Sequence, residues 1–179
     1  NKDSPFQTID ELIEHARPNP KAVNVGGYSI RSVDEALVKE LEAAAGIELN
    51  YIPYRGGKEP VVAVLGRHID VAIANPSEMI ANYEAGSLRG LAVATEERFA
   101  PFEDVPTLTE RGYAVVPDYW RGVMASKDVP DAVVDKWNEV LEQVVADPEF
   151  VECLGNAYMY NGYMPSEEFT ELVRRQTEM

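Results

Sequence analysis

Val23–Leu41 reads VNVGGYSIRSVDEALVKEL. A short apolar run meets two glycines, a polar stretch follows, and then apolar residues recur at helical spacing. The run around Ala22–Gly27 predicts a strand. Ser32–Gly46 predicts a helix, with Ala36, Leu37, Leu41 and Ala44 on its apolar stripe and Gly46 as its stop. Ser32 precedes Glu35 by three residues, the spacing of a capping box, in which hydroxyl and carboxylate satisfy each other's backbone N–H groups. A strand that enters a helix through a few polar residues is half of a parallel crossover. It is also a common seat for anions, because the first N–H groups of a helix lack partners and carry the positive end of its dipole.

Working outward, the same alternation repeats. TIDELIEHA (8–16) is a helix capped by Thr8, with Glu11 three residues later and a stop at Pro18. ELNYIPY (48–54) is a strand, EPVVAVLGRH (59–68) a helix and IDVAIAN (69–75) a strand. PSEMIANYEAG (76–86) is a helix with proline at its start and glycine past its end. LRGLAVAT (88–95) reads as a further strand. Strands such as VAIA and LAVA are apolar on both sides, as in a sheet covered on both faces. The expected fold is therefore α/β, a mainly parallel sheet with helices on both faces and VNVGG, LNYIP, DVAIA and LAVA as central strands. Beyond Glu97 the pattern loosens into a loop, the short helix TLTERG (107–112) and an extended segment, AVVPDYWRGVMAS (114–126). Two helices close the chain, one broken near Pro148 and one capped by Ser166.

Composition removes several function classes. The 179 residues hold 31 acidic against 16 basic side chains, a formal charge of −15, so nucleic acid and anionic membrane are poor partners. No apolar run approaches the roughly 20 residues needed to span a bilayer, and the opening NKDSPF is no signal peptide. The single cysteine, Cys153, allows no disulfide framework or thiolate cluster within one chain. Its helical spacing beside Phe150 and Leu154 predicts plain core packing.

Three loops follow strand ends and carry the polar chemistry. Gly26–Arg31 lacks the G-x-G-x-x-G spacing of a dinucleotide site, and no Walker lysine follows. Instead Ser29, Ser32 and Arg31 surround the start of a helix, a set suited to a carboxylate and shared with a structural cap. Tyr54, Arg55 and Gly56 end the next strand, and Asn75, Pro76 and Ser77 the one after. In a parallel sheet all three loops lie on the carboxyl edge, where ligands bind. His15 and His68 stand in no nucleophile or metal motif. No catalytic residue, metal ligand or cofactor is expected.

Several blocks, in order, resemble one family. They are SPFQTIDELIEHA, GIELNYIPYRGG, LGRHIDVAIANPSEMIANYEAGSLRGLAVAT, FEDVPTLTERGY and YWRGVMASKDVPDAVVDKWNEVLEQVVADPEF. The resemblance is to the substrate-binding receptors of tripartite tricarboxylate transporters, also called Bug proteins. It implies a periplasmic protein with a type II periplasmic-binding-protein fold, in which two α/β lobes close on a small organic carboxylate, citrate-like or a C4-dicarboxylate. The receptor then delivers its ligand to the membrane permease subunits. On this resemblance residues 1–117 form the second, ligand-binding lobe and 118–179 a return crossing strand with closing helices; the first lobe and signal peptide would precede Asn1. The family's loop usually ends in Gly-Ser-Thr. Here Arg31, Ser32 and Val33 stand there, so only Ser32 matches. Arg55 stands where the family often has lysine. Asn75 and Ser77 match the tricarboxylate-receptor branch, and the lack of an aspartate beside them favours plain acids over amino acids. Tyr119, Trp120 and Val123 are expected to form an apolar surface covered by self-association. Two other functions fit the same edge, a periplasmic sensor feeding a signalling partner and an enzyme domain acting on a small carboxylate.

Overall fold

A computed structural model describes residues 1–117 and 119–177, which divide into two compact units, Asn1–Tyr119 and Trp120–Met179. Asp118 in the expected extended segment, and Glu178 and Met179 at the end of the expected last helix, lie outside the described residues.

The first unit runs α1 (Ile9–Ala16), β1 (Asn24–Tyr28), α2 (Val33–Ala45), β2 (Asn50–Tyr54), α3 (Lys58–Leu65), β3 (Val71–Ala72) and α4 (Pro76–Glu84), then a short 3₁₀ turn at Thr109–Arg111. The sheet order is β2-β1-β3 and both pairings are parallel, with Gly26 opposite Ile52 and Ala72. Alternate strand residues show why it is covered on both faces. Val25, Tyr51 and Val71 join the core built by α1 and α2, including Leu12, Ile13, Val38 and Leu41. Ile52, Tyr54 and Ala72 pack instead with Ala63 and Val64 of α3 and with Ile69. Close approach explains the glycine pair between them. A Cβ on Gly26 would fall on Ile69, and one on Gly27 would stand 2.7 Å from the Tyr51 hydroxyl and 2.8 Å from Asp34 Cβ.

Two expected strands are not formed. LAVA joins no sheet; Val93 makes an isolated parallel bridge to Thr107, its N–H donating to Pro106 O (2.9 Å) and its carbonyl accepting from Leu108 N (3.0 Å). The strand is apolar because it is half-buried against the α1/α2 core, and β3 is paired for only two residues, so it provides no ladder. Likewise the described residues of Trp120–Ala125 carry no strand pairing in place of the expected crossing strand.

The second unit holds α5 (Asp131–Ala146), α6 (Pro148–Asn156) and α7 (Ser166–Thr177). Asp147 separates the first two, its carboxylate accepting from Glu149 N (2.8 Å) and Phe150 N (3.3 Å), with Pro148 at the first helical position. α6 thus extends well past the expected end at Phe150. Asn138 ties α5 to α7 by donating to Ser166 Oγ (3.0 Å) and accepting from Ser166 N (3.2 Å). Trp120 meets the Phe169 ring edge-on at 4.8 Å and donates to Gln176 Oε1 at 2.7 Å. None of the three helices has a buried residue. Cys153 is accordingly exposed rather than packed in a core, because its helix has no fully covered face within this unit. Val133, Trp137 and Val144 form a stripe on α5 that stays open, with Trp137 52% exposed.

Candidate functional site

The order β2-β1-β3 makes the chain switch direction across the sheet between β1 and β3. In parallel sheets this is where a crevice opens at the carboxyl edge. All three loops marked by the sequence follow strands that end on this edge. Tyr28–Ser32 follows β1, Arg55–Gly57 follows β2, and the third, after β3, carries Asn75 into α4.

The loop after β1 is held at several points. Ser29 N donates to Tyr54 O (2.8 Å), joining the first two loops. The Tyr51 hydroxyl donates to Ser29 O at 2.8 Å and lies 3.5 Å from Ser32 Oγ. Ser32 Oγ donates to Ser29 O (3.3 Å) and accepts from Glu35 N (3.3 Å), so it caps α2 as the spacing predicts. Ser29 and Arg31 both adopt left-handed backbone conformations, with φ of 54° and 53°. Neither is glycine, so the loop holds a shape that L-residues rarely take.

Four N–H groups of these loops are not open to a ligand in the way the sequence suggests. Tyr28 N donates to Asp34 (2.7 Å), Arg31 N to Glu35 (2.6 Å), Arg55 N to Glu59 (3.2 Å) and Asn75 N to Glu78 (2.8 Å). Each donor is satisfied by a carboxylate in the first turn of the following helix. The signal was present in the sequence as carboxylates three to six residues after each donor, and Glu59 and Glu78 are the residues it would have added.

The third loop joins the others through Glu78. Gly57 lies so close to the Glu78 carboxylate that a Cβ there would fall on it. Burial pushes the Asp34 carboxyl above its ordinary value; the Tyr28 N–H acts against this, and the charge of Glu78 adds to it. Burial also raises the Tyr51 hydroxyl, against the pull of Ser32. Among the marked residues, Ser29, Ser32 and Tyr54 are thus joined by short contacts. Asn75 is linked through Glu78, and Pro76 opens α4. Gly56 accepts from Glu59 N (3.1 Å). Arg31, Arg55 and Ser77 are exposed, and among the described residues no hydrogen bond joins the Ser77 hydroxyl to either other loop.

The charge pattern is uneven. Lys21, Lys39, Arg67, Arg98 and Arg111 are each ion-paired. Arg31, Arg55 and Lys58 have no ion pair among the described residues, and all three stand at this edge. Lys2, Arg17, Arg89 and Arg175 share that lack but belong to none of the three loops. A pair of guanidinium groups in fixed fork geometry is well matched to carboxylate oxygens. Among the described residues no group of three or more His, Cys, Asp or Glu side chains is arranged to hold a metal, and no helix is long and apolar enough to cross a membrane.

Comparison with known proteins agrees with this architecture. Residues 1–179 match the profile of the tripartite tricarboxylate transporter family receptor. A curated relative from Cupriavidus necator, described as a UPF0065 protein in the gbd 5′ region, is 30% identical over 94% of this chain and 51% of its own length. A TctC solute-binding protein from Polaromonas superposes with a TM-score of 0.74 at 28% identity, covering 97% of this chain and 60% of that one. The periplasmic binding protein BugD superposes at 0.73 and 28% identity, over 88% of this chain and 53% of its own. The chain spans about half the length of the curated relatives it matches.

Proposed function

The chain belongs to the tripartite tricarboxylate transporter receptor family, and from that premise we propose that it supplies one wall of an extracytoplasmic solute-binding cleft. The solute is a small organic di- or tricarboxylate, taken at the carboxyl edge of the sheet and passed in the periplasm to a membrane permease. The observation that carries this reading is the set of Arg31, Arg55 and Lys58, cations without ion pairs gathered at one edge of a chain whose net charge is −15. In so acidic a molecule, cations left without internal partners mark a place where an external anion is the partner. Arg31 and Arg55 clamp carboxylates, and Ser29 offers its hydroxyl. Ser32 holds that loop in place through Ser29 O and turns its hydroxyl to the ligand only by releasing that bond. Tyr54 and Gly56 shape the floor, and Asn75, Pro76 and Ser77 form the far rim. One wall leaves much of the ligand hydrated, so affinity for this chain alone is expected in the millimolar range, about 4 kcal/mol. The test is titration of 15N-labelled chain with succinate and citrate. Shifts confined to the three loops, weakened about tenfold by Arg31→Gln or Arg55→Gln, support the reading. Unchanged affinity in both variants overturns it.

A further inference from the structure

The loop that follows β1 carries more than charge. Ile30 is 62% exposed and Tyr28 50% exposed, although both are large apolar side chains in a five-residue stretch otherwise rich in hydrogen bonds. The backbone is fixed on both sides of Ile30. Before it, Ser29 N donates to Tyr54 O and Ser29 O accepts from Tyr51; after it, Arg31 N donates to Glu35. The left-handed conformations at Ser29 and Arg31 bracket the same residue. A flexible loop would turn an isoleucine against neighbouring apolar surface. This one holds it out, immediately before an unpaired guanidinium.

Resting on the carboxylate reading above, we propose that Ile30, with Tyr28, is the specificity-determining element of this edge. It selects acids whose carboxylate is carried on an unbranched, hydroxyl-free hydrocarbon chain. The Arg31 guanidinium takes the carboxylate and the methylenes cover Ile30. A ligand hydroxyl over Ile30 gives up water without gaining a partner there, since burying an unsatisfied hydroxyl is unfavourable. Hydroxylated acids of the malate and citrate kind are therefore disfavoured against straight-chain dicarboxylates. Full burial of a methylene strengthens binding about fourfold, and burial on one side about twofold.

The experiment titrates the 179-residue chain with succinate, glutarate, adipate, malate and citrate, following amide shifts. The expected result is a rise of about twofold per methylene from succinate to adipate, with malate no tighter than succinate. Ile30→Ser should flatten that series, weakening adipate more than glutarate and glutarate more than succinate, and Ile30→Leu should restore it. Circular dichroism of each variant confirms that the fold is kept. If malate or citrate binds more tightly than adipate, or if Ile30→Ser leaves the series intact, the role of Ile30 is refuted and the carboxylate site stands. If no acid shifts the loops, both readings fall.

Discussion

Ser32 has two uses, and they separate by substitution. Its hydroxyl accepts from Glu35 N and donates to Ser29 O. Ser32→Ala is expected to cost about 1 kcal/mol, read from urea denaturation, because an N-cap is lost. It should also weaken carboxylate binding; unchanged affinity would assign the hydroxyl to capping alone. Asp34 offers a second test. Burial first, and the charge of Glu78 after it, raise this carboxyl above the ordinary 3.8, with the Tyr28 N–H opposing. An acid with a raised folded pKa binds its proton more tightly folded than unfolded. Its contribution to stability therefore falls as pH rises through the window just above 3.8. Asp34→Asn keeps an oxygen for Tyr28 N–H and removes the charge. Urea midpoints measured between about pH 4 and 6 should decline less steeply in the variant; an identical slope would place the effect on other groups.

At the level of elements, the strand–helix alternation was legible because apolar periodicity and stop residues reflect burial, which sequence carries directly. β1, β2 and the helices from Thr8 to Glu84 follow those signals, as does the Ser32 cap. What sequence does not carry is pairing. LAVA has the composition of a strand, yet its hydrogen bonds go to Pro106 and Leu108, since a ladder needs a neighbour of adequate length and β3 has two residues. Cys153 fails for a related reason, as helical spacing predicts a face but not whether anything covers it. The left-handed Ser29 and Arg31 were also hidden, because no glycine announces them. Gly26, by contrast, announces a close contact. Gly26→Ala would push a methyl into Ile69, within 3.0 Å of Tyr54 Cε2 and 3.3 Å of Pro60 Cβ. The expected loss is about 1–3 kcal/mol by denaturant unfolding, and a neutral result would show that α3 moves freely on the sheet.

On the scale of the whole molecule, apolar surface and charge decide behaviour in solution. The open stripe of Val133, Trp137 and Val144 on α5 is of the aromatic-anchored kind that drives association. We expect the mass measured by light scattering to rise with concentration. Trp137→Lys should weaken that association at least tenfold, about 1.4 kcal/mol; an unaltered concentration dependence would locate the contact elsewhere, for example at exposed Tyr119 and Val123. The cationic trio on so acidic a body has a different consequence. Far from the molecule an organic anion meets net repulsion, and only within a few ångströms of Arg31, Arg55 and Lys58 does the field reverse. Salt with a Debye length near 10 Å at about 0.1 M screens the distant repulsion more than the close attraction. Modest ionic strength should therefore speed capture of the anion before higher salt loosens its hold, giving a rate of encounter that passes through a maximum where an ordinary oppositely charged pair would only slow down.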